Sequence, residues 1–271
     1  MPQEPKGAAR PKIRLEQVSK SFAARGKSVQ ALRPVDFEIG AGEFVALIGP
    51  SGCGKSTVLN MISGLAPPTT GRVLYDGAPV TGINHRVGYM TQKDTLLPWR
   101  TVADNIGIAL ELKHAQVSAA ERRERVAEMI ELVGLRGFEA HFPGELSGGM
   151  RKRAALARTL IYKPETLLMD EPFGALDAQL KLVMHAELLR ITALQSMTVV
   201  FVTHDLGEAI SLADRVVVFG GRPGSIKAQR EIPIAKPRDA FHVRFTPEFA
   251  QLHEDLWEQM KTEVLEHAQA A

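Results

Sequence analysis

The spacing of apolar and polar positions changes period several times along the chain. Residues 13–18 alternate, the period-two pattern of a half-buried strand. Residues 35–39 and 43–48 read as two further strands, separated by the turn signal Gly40-Ala41-Gly42. After a glycine-rich stretch, residues 56–65 carry helical spacing, and Pro67-Pro68 stops them. Residues 72–75 followed by Asp76-Gly77 predict a strand and a tight turn, and residues 87–90 another short strand.

The period then becomes helical. Residues 101–112 and 118–133 predict helices. The second opens on Ser118-Ala119-Ala120-Glu121, a capping box, closes at Gly134, and stripes Val126, Met129, Ile130 and Val133 along one face. A third helix is expected after residues 146–150. Continuous apolar runs return at 166–169, 198–202 and 215–219, as buried parallel strands require, with helices at 180–194 and 207–213 between them. The tail, 246–266, predicts a last helix with Thr246 as N-cap, Pro247 at the first position, and a stripe of Phe249, Leu252, Leu256, Met260 and Val264. The order predicts an α/β fold with a mostly parallel sheet and a helical insert between two of its strands. Residues 1–11 read as a mobile leader.

Composition narrows the function. Apolar residues make up 45%, enough for a packed core. Lys and Arg total 33 against 31 Asp and Glu, a balance of +2 that provides no electrostatic reason to expect nucleic acid. No apolar run approaches the ~20 residues that span a bilayer, and the N-terminus lacks a secretory signal's apolar core. Cys53 is the single cysteine, which excludes an intramolecular disulfide and a cysteine metal cluster. The expectation is a cytoplasmic protein whose membrane role, if any, needs a partner.

Two segments carry chemistry. Gly49-Pro50-Ser51-Gly52-Cys53-Gly54-Lys55-Ser56, between a predicted strand and a predicted helix, fits G-x-x-x-x-G-K-[ST]. Glycines let successive N–H groups turn inward on phosphate oxygens, and the helix start adds its positive end. Lys55 is expected on the β and γ phosphates, the Ser56 hydroxyl on Mg²⁺, and Thr57 on the α phosphate. The strand 166–169 then ends in Asp170-Glu171. Acidic pairs are common, but after a phosphate cradle this one reads as a Mg²⁺ holder acting through water (Asp170) and a general base for hydrolysis (Glu171). Cys53 lies in the cradle, so a bulky thiol reagent is expected to inhibit and ATP to protect.

Leu146-Ser147-Gly148-Gly149-Met150 resembles the signature of the ATP-binding-cassette (ABC) ATPases. Other family marks follow in order. Gln92 resembles the Q-loop glutamine, Ala175-Leu176-Asp177 the D-loop, His204 the switch histidine, and Phe22 the aromatic that stacks on adenine. Met150 and Lys152 depart from the pattern, since Gln is the usual residue at each; neither removes a donor from Ser-Gly-Gly. The resemblance spans roughly 13–238. It implies a P-loop NTPase core over 12–243 with a mostly parallel sheet, an antiparallel β-subdomain and a helical insert near 93–160, followed by a helical tail at 244–271. It also implies ATP and Mg²⁺ as cofactors, with Ser56, Gln92 and Asp170 toward the metal. Leu146–Met150 and Asp177 are implied to act in trans on ATP held by a second nucleotide-binding subunit, most simply an identical one.

Leu96-Leu97-Pro98-Trp99-Arg100-Thr101-Val102 resembles importer ATPases of the nitrate/sulfonate/taurine branch, and Phe142-Pro143-Gly144-Glu145 differs from the stretch exporters carry there. That branch implies transmembrane permease partners, an external solute-binding protein met indirectly, and a peripheral position on the cytoplasmic face of the inner or plasma membrane. Trp99 is the candidate aromatic near the permease. A soluble ABC ATPase of repair or translation is the alternative.

Overall fold

The computed structural model describes residues 11–24, 27–111, 117–174 and 176–269, with backbone alone at 24, 27 and 262–269. The expected leader (but for Pro11), Leu112 and Ala175 therefore lie outside the described residues, as does the side chain of Val264. In chain order the strands are β1 (Ile13–Ala24), β2 (Lys27–Ile39), β3 (Phe44–Ile48), β4 (Thr70–Tyr75), β5 (Ala78–Pro79), β6 (Val87–Met90), β7 (Thr166–Asp170), β8 (Thr198–Val202), β9 (Arg215–Gly220) and β10 (Ser225–Glu231). The helices are α1 (Lys55–Ile62), α2 (Val102–Gly107), α3 (Ala119–Leu132), α4 (Gly148–Leu160), α5 (Ala178–Gln195), α6 (Leu206–Leu212) and α7 (Pro247–Gln269).

β3 lies inside a six-stranded sheet of order β10-β9-β3-β8-β7-β6, parallel except for β10. All five of its residues are buried because both faces of the sheet are covered. Ala46, Ile48, Met169, Phe201 and Val218 share one core with α4–α7. Their neighbours Val45, Leu47, Leu168, Val202 and Phe219 face the other way, onto α1 and the antiparallel sheet β2-β1-β4-β5. The period of two thus divides one apolar run between two cores. A third core, built on Val102, Ile106, Val126, Ile130, Leu146 and Ala157, belongs to the helical insert.

The capping chemistry sets the helix starts. Thr101, Ser118, Ser147, Asp177 and Asp205 each accept a hydrogen bond from the backbone N–H three residues on. At Ser118 only half of the predicted box forms, because Glu121 turns to Arg125. Thr246 Oγ1 accepts from Phe249 N at 3.3 Å, with Pro247 first in α7. Phe249, Leu256 and Met260 join the main core. Truncating fully buried Leu256 would cost about 2–5 kcal/mol.

Several elements differ from the pattern reading. β2 begins at Lys27, well before residue 35, β5 pairs with β4 beyond the Asp76-Gly77 turn, and α4 already opens at Gly148. β1 continues well past Val18, because a bulge at Gln17 (φ 48°) adds a residue and shifts the phase of its alternation. β10 has no counterpart in the apolar pattern; it is a polar edge strand, exposed along most of its length, and carries no alternation to read. The helix expected over 101–112 ends at Gly107, where α2 lies close against Arg122 and Val126, and tightens into a 3-10 turn over Ile108–Glu111. Among the described residues, no helix is long and apolar enough to cross a membrane.

Candidate nucleotide site

Strand β3 feeds directly into the cradle. A Cβ on Gly49, whose φ is 148°, would sit 2.4 Å from the Phe219 carbonyl oxygen, so only glycine lets the chain leave the sheet there. Lys55, the first residue of α1, is almost fully buried. Its Nζ donates to the carbonyl oxygens of Gly49 at 2.8 Å and Pro50 at 2.9 Å. Among the described residues no carboxylate lies within ion-pairing distance of it. Its charge is held inside the loop chiefly by carbonyl dipoles, with Asp170 too far for an ion pair, which suits an arriving polyphosphate. Arg222, which nothing in the pattern singled out, donates to the Ser51 carbonyl from the turn after β9.

The Cys53 expectation is corrected. Its side chain is fully buried in the core beneath the cradle, with Sγ 3.7 Å from Lys55 Nζ. Burial pushes the thiol pKa up, against the opposing pull of Lys55. Cys53 can offer a nucleotide its backbone, but a bulky reagent cannot reach its sulfur. The motif specifies a position in the loop, and not the direction of a side chain at a variable place.

Adjacent parallel strands bring the remaining groups to the same sheet edge. Met90 pairs with Met169, and Asp170 with Val202, so Gln92, Asp170-Glu171 and His204 all emerge at the C-terminal ends of β6, β7 and β8. In open α/β sheets this is the edge where ligands bind. Ser56 Oγ donates to Asp170 Oδ1 at 3.0 Å. Burial raises the Asp170 pKa; Ser56 opposes this, and the neighbouring charge of Glu171 adds to it. Glu171 has φ 45°, a left-handed conformation costing ~1–3 kcal/mol in a residue with a side chain, and its N–H donates to Val202 O at 3.0 Å. Its Oε2 accepts from Gln92 Nε2 at 3.2 Å and lies 3.4 Å from His204 Nδ1.

A polar cluster behind the histidine was also unseen in the sequence. Thr203 Oγ1 donates to buried Glu208 at 2.5 Å, and Glu208 Oε1 lies 3.3 Å from Lys181 Nζ and 3.4 Å from His185 Nε2. Burial works to raise the Glu208 pKa, but His185, Thr203 and Lys181 together hold it at about 2.

The donors near Ser56 and Asp170 are hard oxygens. No group of three or more His, Cys, Asp or Glu that could cage a metal occurs among the described residues. This fits Mg²⁺, which takes one or two protein oxygens and otherwise phosphates and water. Phe22 is exposed on the β1–β2 hairpin with Lys20 Nζ 5.3 Å from its ring centroid. Lys20 pairs with Leu32, and Leu32 abuts Gly54, so Phe22 lies about 7 Å further along the hairpin from the cradle.

Ser147–Met150 stand apart. Ser147 caps α4 by accepting from Met150 N at 3.3 Å, and Ser147 and Gly148 are exposed. Gly149 packs so closely on α5 that a Cβ would meet Leu180 Cδ2 at 2.4 Å. Asp177 caps α5 through Leu180 N at 2.9 Å. Among the described residues, no hydrogen bond or ion pair joins Leu146–Met150 or Asp177 to the cradle.

A phosphate cradle, an acidic pair at a strand end and a separate Ser-Gly-Gly helix start, on this sheet, define the nucleotide-binding cassette class. Residues 32–174 match the ABC transporter family, and the chain belongs to that family as an ATP-binding, ATP-hydrolysing subunit. It is 43% identical over 249 residues to a taurine import ATP-binding protein of Rhizobium johnstonii, covering 90% of this chain and 94% of that one. It is 41% identical over 241 residues to a nitrate import ATP-binding protein of Synechococcus elongatus, covering 89% and 88%. A solved dimeric ATP-binding cassette in a post-hydrolysis state bound to ADP and Pi superimposes with a TM-score of 0.72 at 31% identity, over 82% of this chain and all of that one.

Proposed function

We propose that the chain is the motor subunit of a solute importer in the nitrate/sulfonate/taurine group, hydrolysing MgATP at the edge of β3, β6, β7 and β8. The observation that carries this is the convergence of Gln92 and His204 on one oxygen of Glu171. Lys55 and the loop N–H groups bind the phosphates, with Phe22 against the adenine. Ser56, Gln92 and Asp170 would hold Mg²⁺, Asp170 through water; the ion would neutralise charge on the phosphates. Glu171 accepts a proton from the attacking water while His204 orients the water and the γ phosphate.

The exposed start of α4 is an anion-binding terminus without a phosphate of its own. In our reading it meets the γ phosphate held by a second copy, with Asp177 beside it. Each ATP then lies between the cradle of one chain and Ser147–Gly149 of the other, in a two-fold pair. ATP favours the closed pair because it binds that state better, and hydrolysis releases it. Closing and opening would drive permease subunits on the cytoplasmic side of the membrane, with the solute-binding protein beyond them. Trp99, exposed within the insert, is the proposed permease-facing aromatic. The test is Glu171→Gln at saturating MgATP: the reading requires a stable dimer, and a variant that remains monomeric overturns it.

A further inference from the structure

Lys152, one of the two departures from the family pattern, is buried in α4 although it is a lysine. Its Nζ donates to the Gln92 carbonyl oxygen at 2.6 Å and pairs with Asp94 Oδ1 at 2.7 Å. Arg151 reaches the other Asp94 oxygen at 3.3 Å and also donates to the Leu146 carbonyl at 2.6 Å. Arg158 donates to the carbonyls of Asp94 at 2.9 Å and Thr95 at 2.8 Å. Three cations of one helix thus hold the segment 92–95. One end of this linkage is Leu146, directly before Ser147. The other is Gln92, whose amide reaches Glu171.

We infer that Lys152 is a positioning residue for hydrolysis: it ties the backbone of Gln92 to the helix start bearing Ser147–Gly149, and through Gln92 it sets the placement of Glu171. The inference rests on the hydrolytic roles proposed above for Gln92 and Glu171. The chemistry favours lysine over the usual glutamine. One ammonium serves a carbonyl and a carboxylate together, and a charge-assisted bond is about twice as strong as a neutral one. Glutamine at this place has two amide N–H donors for the same two acceptors, but it is neutral and one atom shorter, so it cannot replace the ion pair with Asp94. Because α4 and the segment 92–95 are linked, a displacement of the Ser-Gly-Gly face is carried to the group that holds the base.

The test is a double-mutant cycle on the full chain, with kcat and KM for MgATP measured beside binding of a fluorescent ATP analogue. Lys152→Met is expected to lower kcat about tenfold while analogue affinity stays within about twofold, since the cradle does not touch it. Lys152→Gln should lie between Lys152→Met and the unaltered chain. In a Gln92→Ala background, Lys152→Met should have no further effect on kcat. A kcat for Lys152→Met within twofold of the unaltered chain overturns the inference, as does an undiminished loss in the Gln92→Ala background. A merely structural role would lower the folded fraction without this dependence on Gln92. If Lys152→Met does not fold, Asp94→Asn, at a half-exposed place, is read through the same cycle with the same two outcomes. Glu171→Gln, run alongside, reports on the hydrolysis reading separately.

Discussion

His204 Nδ1 lies 3.4 Å from Glu171 Oε2, and the glutamate reaches that place only by holding φ at 45°. Two residues 33 positions apart in the chain are brought together because β7 and β8 are parallel neighbours in register. The strained glutamate is where the site stores its conformational cost, a common feature of functional positions.

Glu171→Gln removes the proposed proton acceptor and keeps the shape and the Gln92 contact. Turnover should fall about 10²–10⁴-fold, the usual contribution of a general base. Nucleotide binding should persist. Steady-state phosphate release and light scattering at saturating MgATP check the two halves of this expectation.

Lys55→Ala empties the position between the Gly49 and Pro50 carbonyls. Loss of a charge-assisted bond of about 1.5–3 kcal/mol corresponds to about 10–150-fold weaker ATP binding, read by equilibrium titration. The fold should survive, since the carbonyls are then reached by water.

Asp170→Asn should separate stability from activity. The Asp170 pKa is raised by burial, so the folded chain disfavours the carboxylate. Its favourable contribution is complete below the unfolded pKa and lost as pH rises through the folded value. At pH 7 the nucleotide-free Asn variant should therefore melt higher than the unaltered chain, the gap narrowing toward pH 4. MgATP hydrolysis should be strongly impaired. Thermal melts across pH and a turnover assay decide this.

Glu208→Gln should destabilise by about 3 kcal/mol at pH 7, because it leaves buried His185 and partly buried Lys181 without their carboxylate. Here the folded pKa is depressed, to about 2 from 4.5. The contribution is present above pH 4.5 and lost as pH falls toward 2, so the two proteins should converge in acid. Urea midpoints from pH 7 down to 3 measure the convergence.

Cys53 should resist bulky maleimides in the native chain with or without ATP, and label only in denaturant, because its sulfur is in the core. Mass spectrometry of labelled protein checks it. Rapid native labelling that ATP blocks would restore the direction first expected from the motif.

The pieces of the site were legible where backbone or residue type alone carries the chemistry. The cradle is a run of glycines with Lys55 and Ser56, and the acidic pair closes an apolar strand, so both stand out in one dimension. Asp94, Arg222, Glu208 and His185 gave no such signal. Each acts through a partner distant in the chain: Asp94 through Lys152, Arg222 through Ser51, and Glu208 through His185 and Lys181. The polar edge strand β10 was invisible for the complementary reason, since it has almost no buried face to impose a period.

Local spacing determined the phosphate cradle, the strand and helix alternation, and the helix starts, because these depend on neighbours within a few residues: a cap, a turn glycine, a period of two. Only the tertiary structure decided which groups meet. The order β3-β8-β7-β6 brings Lys55, Glu171, His204 and Gln92 to one edge, and it buries Cys53 away from that edge. It also leaves Ser147–Gly149 outside the cradle and turns Lys152 inward onto Gln92. Strand order and side-chain direction follow from packing two cores on opposite faces of one sheet, a constraint that acts between segments far apart in the chain.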